Sequence, residues 1–546
     1  MTRAATTSDI AALANDREWL ALLHMDHAPL NGQYRSQVDD PDFFLAPSGG
    51  HDPQAELEAT LAAFLQPADA PDQHAACKFP ARFRWLHARL DLPAPALTPQ
   101  QCPEFQQWLG LIRPHSITLV FASSFLNSPS SMFGHTFLRI DPEDLQTGSD
   151  WLSFAVNFGA ELHPEDNSIL YAYKGLFGGY PGFFSVMRYV EKINEYNRLE
   201  NRDLWEYHLN LSPAEVQTLI WHLWELRDID FDYFFFDENC SYRLLELLEV
   251  ARPSIELTDQ FGTHAIPIDT VRVVEAASMI NDVSYRSSEA SQIQYQADLL
   301  TSPQQQLAWE LAHQKRPLDD PELRQLDTST QAQVLRVAYK HLRYLQLGEE
   351  RDPKQARHSL AILQQLRALH AGEAGAPPTP TAPEQGHDSL LLGVAGGRSD
   401  GRNLMDLRIR TSYHDLADNP DGYLDGAAIN IGELQLRQRE DDSLQVEMLN
   451  FVDINSHSPR TRFFDPLTWR VKAGFDRVYA EKESSEAGDF DDTLTARVNG
   501  GAGITLPLGD RHLVYGLGMA RLEYNKLLDD NLAVGAGALA GALFYL

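Results

Sequence analysis

Cys240, His135 and Asn157 are the residues whose types and order could do chemistry. Cys240 stands in Asp237-Glu-Asn-Cys-Ser-Tyr-Arg-Leu-Leu-Glu-Leu-Leu-Glu249. Leu244, Leu247, Leu248 and Ala251 recur at helical spacing and Pro253 stops the run, which predicts a helix with Cys240 in its first turn. Asn239 or Asp237 can cap that helix by accepting an unpaired first-turn N–H. The partial positive charge of a helix start favours thiolate over thiol. The bland alternative is a buried, inert cysteine on the stripe of Leu244 and Leu247.

A thiol nucleophile needs a base to take its proton and a polar group to orient that base. Gly134-His135 opens the apolar run Met132 to Ile140, which reads as a strand. The run from Trp151 to Phe158 reads as the next strand, with Trp151, Ser153, Ala155 and Asn157 on one face. A helix bearing the cysteine, packed on a sheet bearing the histidine, is the papain-like arrangement. Here His135 precedes Cys240 in the chain, so the order is circularly permuted.

These elements sit inside a longer plan. Residues 1–110 read as a helical subdomain, 111–260 as the α+β thiol domain, and 261–370 as helical again. Ala371 to Asp388, rich in Pro, Gly and Ala, is the clearest linker. From 389 to 546 about eight alternating runs separated by Asp, Asn and Gly turns predict an antiparallel, barrel-like β-domain. Such strands suit either an outer-membrane barrel or a soluble β-domain. Ser212 with Glu215 forms a capping-box pattern at the head of a helix. Arg202, Asp203 and Glu206 read as a structural ion-pair network. The aromatic, glycine-rich stretch from Tyr171 to Tyr189 reads as a hairpin over the core, with a lid or acyl groove as the functional alternative.

The 546 residues exceed what one core organises. The net charge of −32 argues against nucleic acid as a partner. No apolar run of about 18 residues predicts a transmembrane helix. The first residues lack the apolar core of a secretion signal, as in a cytosolic protein or a mature or trimmed form. If Cys77 and Cys102 pair, they close a loop of about 26 residues worth roughly 3–4 kcal/mol and leave Cys240 free; three reduced cysteines are the alternative. His74, His115, His163, His208, His222 and His264 lack metal-ligand spacing, and no Walker loop, dinucleotide fingerprint or His-Glu-x-x-His occurs, so no metal and no cofactor is expected.

Four stretches carry a resemblance. Ser123-Ser-Phe-Leu-Asn-Ser-Pro-Ser-Ser-Met-Phe-Gly-His-Thr-Phe-Leu-Arg-Ile140, Gly178-Gly-Tyr-Pro-Gly-Phe-Phe-Ser185, Arg202-Asp-Leu-Trp-Glu-Tyr207 and Glu238-Asn-Cys-Ser-Tyr-Arg-Leu-Leu245 resemble the periplasmic domain of the Lnb family, bacterial lipoprotein intramolecular transacylases and their Gram-negative relatives. The resemblance spans roughly residues 110 to 260, and more loosely the regions on either side. That family is similar to permuted NlpC-type and lecithin:retinol acyltransferase-type thiol enzymes. The resemblance implies Cys240 as nucleophile and His135 as its base; Asn157 as orienting residue comes from strand facing instead. Within the motifs, Ser124, Asn127, Tyr180 and Asn239 are the expected substrate contacts. It further implies lipid-linked or lipoprotein substrates and a periplasmic or outer-membrane-associated location. The family's membrane-anchored members carry transmembrane helices, whereas this chain appends a β-domain, so thiol acyl chemistry carries over more directly than lipoprotein transacylation. Two alternatives stand beside it: a peptidoglycan amidase or peptidase of NlpC type, and a non-catalytic envelope docking protein.

Overall fold

A computed structural model describes residues 7–545 apart from 28–32, 68–69, 91–96, 125–131, 144–149, 162–173, 175–178, 236–237, 263, 348–349, 351, 371, 373–374, 400, 441–442, 482–489, 510, 527 and 529. The chain forms two compact units, residues 1–123 with 134–286, and 124–133 with 287–546. Among the described residues no helix is long and apolar enough to cross a membrane.

The first unit begins with short helices and the hairpin β1 (Met25–His27) and β2 (Tyr34–Ser36). Its body is an antiparallel sheet of seven strands: β3 (Ser116–Ala122), β4 (His135–Asp141), β5 (Phe154–Ala160), β6 (Tyr180–Arg188), β7 (Leu204–Leu209), β8 (Phe231–Tyr233) and β9 (Ile280–Arg286). Their order across the sheet is β8-β6-β5-β4-β3-β7-β9. The central strands β3 and β4 are buried on both faces, as a run such as Ile117-Thr-Leu-Val-Phe-Ala122 requires. On one face Val120, Ala122, Phe137 and Ala155 pack on Tyr189, Ile193 and Tyr196. Helix Cys240–Ala251 packs on β4 and β5, with helix Pro213–Glu225 beside it.

The strand expected from Trp151 starts later. Asp150–Leu152 is a 3-10 turn and Trp151 is exposed, while Phe154 to Ala160 forms the strand and keeps Ala155 and Asn157 on one face. The Ser212–Glu215 capping box forms in both directions. Glu206 belongs to a buried cluster: Arg139 donates to it at 2.6 Å and to Asp141 at 2.7 Å, and the Tyr189 hydroxyl donates to it at 2.7 Å. Cys77 pairs with Cys102, Cα to Cα 5.5 Å.

The second unit has a helical core, in which Leu307, Leu311, Leu335, Ala338, Leu342 and Ile362 pack with Phe463. Its sheet is an eight-stranded antiparallel meander: β10 (Leu391–Ser399), β11 (Arg402–His414), β12 (Ala427–Arg439), β13 (Gln445–Ser456), β14 (Thr468–Glu481), β15 (Phe490–Leu508), β16 (His512–Tyr524) and β17 (Leu532–Leu543). The strands pair only with their chain neighbours. Among the described residues β10 and β17 share no ladder, so the expected barrel is an open sheet rather than a closed one. Closure was not readable from the sequence because turn residues specify neighbouring pairs but not the pairing of the two ends.

Candidate active site

Cys240 opens its helix as expected, and the cap is Asn239. Its Oδ1 accepts the Ser241 N–H at 3.0 Å and the Tyr242 N–H at 3.3 Å. Its Nδ2 donates to the carbonyls of Ala265 at 2.6 Å and Phe235 at 3.1 Å. Both side-chain polar atoms are thereby engaged within the protein, which fixes the start of the Cys240 helix. The helix is buried almost all round, well beyond the stripe of Leu244 and Leu247. Its polar side is made tolerable by pairing: Arg243 binds Glu238 and Glu246, and Glu246 in turn binds His24.

Cys240 is the free cysteine and is buried. Its sulfur draws on the backbone N–H of Thr136, the residue after His135. The Thr136 hydroxyl donates to Ser241 Oγ at 2.8 Å. Two adjacent residues of the helix start are thus tied to one residue of β4, which sets the sulfur at the head of the histidine strand. Burial pushes the Cys240 thiol above its ordinary value, against the pull of the Ser241 hydroxyl, the Thr136 and Ser241 N–H groups and Arg202.

His135 Nε2 lies 2.7 Å from Asn157 Oδ1. A carboxamide oxygen can only accept, so Nε2 carries the proton and Nδ1 carries the lone pair. That is the tautomer of a base. Burial pushes the His135 imidazolium down to about 3, the bond to Asn157 opposing it and the Lys192 and Arg202 cations adding to it. The imidazole is therefore neutral at neutral pH, and burial keeps the Cys240 thiol protonated. Both groups are thus uncharged at rest.

Gly134 makes the approach to His135. Its φ of +94° is one that side chains rarely adopt, and an added Cβ would stand 2.4 Å from Phe121 Cε2. Gly134→Ala is expected to lower stability by about 2–4 kcal/mol and to displace His135. Thermal unfolding and thiol alkylation rates read the two effects separately.

The remaining expected contacts fall in different places. Tyr180, first residue of β6, is buried and borders an acidic cleft with Asp39, Asp40, Asp230 and Asp232. Ser124 is half-buried and belongs with the second unit. Asn127 and most of the Tyr171–Tyr189 stretch before Tyr180 lie outside the described residues. Sequence reasoning missed Tyr196. Its ring lies 5.6 Å from that of His135 and the Arg202 guanidinium 4.8 Å from its own. It sits on the π-helical turn Ile193–Leu199, a distortion that leaves no residue signature and recurs at functional sites.

Residues 104–277 match the family model described as the Lnb N-terminal periplasmic domain. Three further models, each described as a domain of unknown function, match residues 11–89, 283–378 and 380–546. No curated protein and no solved structure matches the chain.

Proposed function

Because residues 104–277 belong to the Lnb-type family, we propose that this domain is an extracytoplasmic cysteine-dependent acyltransferase or hydrolase of permuted papain-like design, working on lipid-linked, lipoprotein-like substrates. The observations that carry the reading are an Nε2-protonated His135 held by Asn157 and a Cys240 whose sulfur takes the backbone N–H of the next residue on the same strand, Thr136. His135 Nδ1 takes the thiol proton as Cys240 Sγ attacks the carbonyl carbon of an acyl ester. The cap already uses the Ser241 and Tyr242 N–H groups and Arg243 N–H bonds Asn239 O, so Cys240's own N–H is the first-turn donor that would face the oxyanion. The ester C–O bond breaks, His135 returns the proton to the leaving alcohol oxygen, and a thioester remains on Cys240. An amine or water, deprotonated by His135, then attacks the thioester and Sγ leaves. Wild type and Cys240→Ala offered a diacyl lipopeptide and a muropeptide side by side decide the bond. Acyl transfer or release from the lipopeptide supports the proposal. Cleavage of the muropeptide alone would replace it with a peptidoglycan amidase, and turnover of neither would favour a docking protein.

The location is read from the β-domain. Alternate residues on one face of the sheet are apolar and uncovered, among them Val534 at 80%, Leu392 at 71% and Val394 at 65% exposed. The opposite face carries ion pairs such as Arg437 with Asp406 at 2.7 Å and Arg497 with Asp476 at 3.1 Å. Apolar-out and charged-in is the pattern of strands in lipid, inverted from that of a soluble sheet. It supports association of that apolar face with the outer membrane. Val534→Arg is then expected to weaken insertion by about 2–4 kcal/mol, read as protein lost from the membrane fraction. A wild type that stays in the aqueous phase with lipid vesicles, unchanged by the substitution, would make the β-domain a soluble one.

A further inference from the structure

In the second unit, two histidines and a carboxylate converge at the end of β11. His387 follows the 3-10 turn Pro383–Gln385, His414 is the last residue of β11, and Asp418 lies in the turn after it. His387 Nε2 lies 2.9 Å from His414 Nδ1 and 3.6 Å from Asp418 Oδ2. One nitrogen from each histidine and one carboxylate oxygen all lie within 4.8 Å of one another. From this geometry we propose a binding site for a divalent transition metal, zinc above all, held by His387 Nε2, His414 Nδ1 and Asp418.

The surroundings orient the ligands. His387 Nδ1 is 2.7 Å from the carbonyl of Asp388, which can only accept, so Nδ1 carries the proton and Nε2 presents its lone pair to the cluster. A ring N–H donated to a backbone carbonyl is how metal-binding imidazoles are commonly held. Tyr423 stacks on both rings, at 4.4 Å from His387 and 4.2 Å from His414, and its hydroxyl donates to the His387 carbonyl at 2.6 Å. That wall fixes both imidazole planes on one side. Asp418 Oδ2 accepts from Arg410 at 2.6 Å and from the Asp415 N–H at 2.8 Å, which holds the carboxylate in place beside the two rings. Ligands about 2.0–2.2 Å from zinc stand a little over 3 Å apart, so the site needs only a small opening of the 2.9 Å nitrogen pair. Two imidazoles and one carboxylate leave a fourth position for water or substrate and favour zinc, iron or nickel over magnesium or calcium. No spacing rule reveals the site, because His387 and His414 come from different elements. Without a metal the same contact is a hydrogen bond from His414 Nδ1–H to His387 Nε2, so the experiment must separate the two.

The full chain is stripped with a chelator, dialysed, and titrated with Co²⁺ and Zn²⁺ alone. One Co²⁺ per chain with the visible bands of four- or five-coordinate cobalt, displaced by Zn²⁺, is expected in wild type and in Cys240→Ala. His414→Ala and the milder His387→Gln are expected to weaken binding by more than about 100-fold and to abolish the rise in melting temperature that Zn²⁺ gives wild type. Circular dichroism shows whether each variant is folded, and either folded variant suffices. Absence of stoichiometric binding in wild type, or binding unchanged in a folded His387→Gln, would overturn the site. The Cys240→Ala arm keeps this result separate from the fate of the thiol mechanism.

Discussion

Cys240→Ala is expected to abolish acyl transfer, by at least about 10⁴-fold, with the fold intact because the sulfur makes only weak contacts, such as 3.8 Å to Ser241 Oγ. His135→Ala should lose about 10²–10⁴-fold, and the Cys240→Ala, His135→Ala double variant should be no worse than Cys240→Ala alone, since nucleophile and base act as one unit. Asn157→Ala should lose less than His135→Ala, because it frees the imidazole to adopt the other tautomer without removing it. The pH profile carries the more specific expectation. The thiol stands above its ordinary value and the imidazolium is pushed down to about 3. Alkylation of Cys240 by iodoacetamide should therefore climb about tenfold per pH unit from pH 6 to 8 with no low-pH plateau, because only the thiolate fraction reacts. A plateau at acidic pH would mean a preformed thiolate–imidazolium pair and a different mechanism. Turnover that survives in Cys240→Ala would remove the thiol from the chemistry altogether.

The parts of the site carried by local sequence were legible before any coordinates. Asn239-Cys240 at a helix start and Gly134-His135 at a strand start are set by capping and by a glycine-only turn, which act within a few residues. Asn157 was legible through strand alternation even though the strand began at Phe154, because period two survives a shifted boundary. What was hidden depends on contacts between distant segments. The cap consumes two first-turn N–H donors, and it takes an anchor from Ala265, 26 residues downstream. Tyr196 reaches His135 only because a π-turn changes its phase. The two ends of the eight-stranded sheet are no nearer in sequence than the length of the domain, and no residue pattern states whether they meet. His24 and His222 are 198 residues apart in sequence and in direct contact, and no spacing pattern links them.

That contact supports the second large effect. Glu225→Ala is expected to destabilise the first unit by about 4 kcal/mol, because it leaves His222 Nδ1 and the Arg82 N–H buried without partners at about 1–3 kcal/mol each, whereas Glu225→Gln should be nearly neutral. The reason lies in where the protons are. Burial pushes the Glu225 carboxyl up to about 8, and Arg82 with the N–H groups of Arg82 and Ala81 only partly offsets it. Burial, with His24 and Arg82 adding to it, holds His222 well below 6.5 and so uncharged. The 2.9 Å contact between Glu225 Oε2 and His222 Nδ1 is then a hydrogen bond donated by a neutral carboxyl, not an ion pair. His222 Nε2–H donates to His24 Nε2 at 2.9 Å, and His24 Nδ1–H to Glu246 Oε2 at 3.1 Å. Burial works against the Glu246 charge and Arg243 more than offsets it. A glutamine supplies the same donor to His222 and the same acceptor to the Arg82 N–H, which Glu225 Oε1 binds at 2.9 Å. The pH dependence follows from the same assignments. Glu225 binds its proton more tightly folded than unfolded, so its contribution is complete below 4.5 and is lost as pH rises through about 8. His222 works the other way, its penalty fading as pH rises through 6.5. Glu246 gains its stability as pH rises to about 4.5 and is constant beyond. The opposing slopes of Glu225 and His222 compensate where both titrate, below about 6.5, and above that Glu225 acts alone. Wild type should lose about 2 kcal/mol between pH 6.5 and 8 while Glu225→Gln stays flat, measured as the urea midpoint by tryptophan fluorescence. Parallel pH curves for the two proteins would mean that Glu225 is ionised, and that the buried chain is an ion-pair network after all.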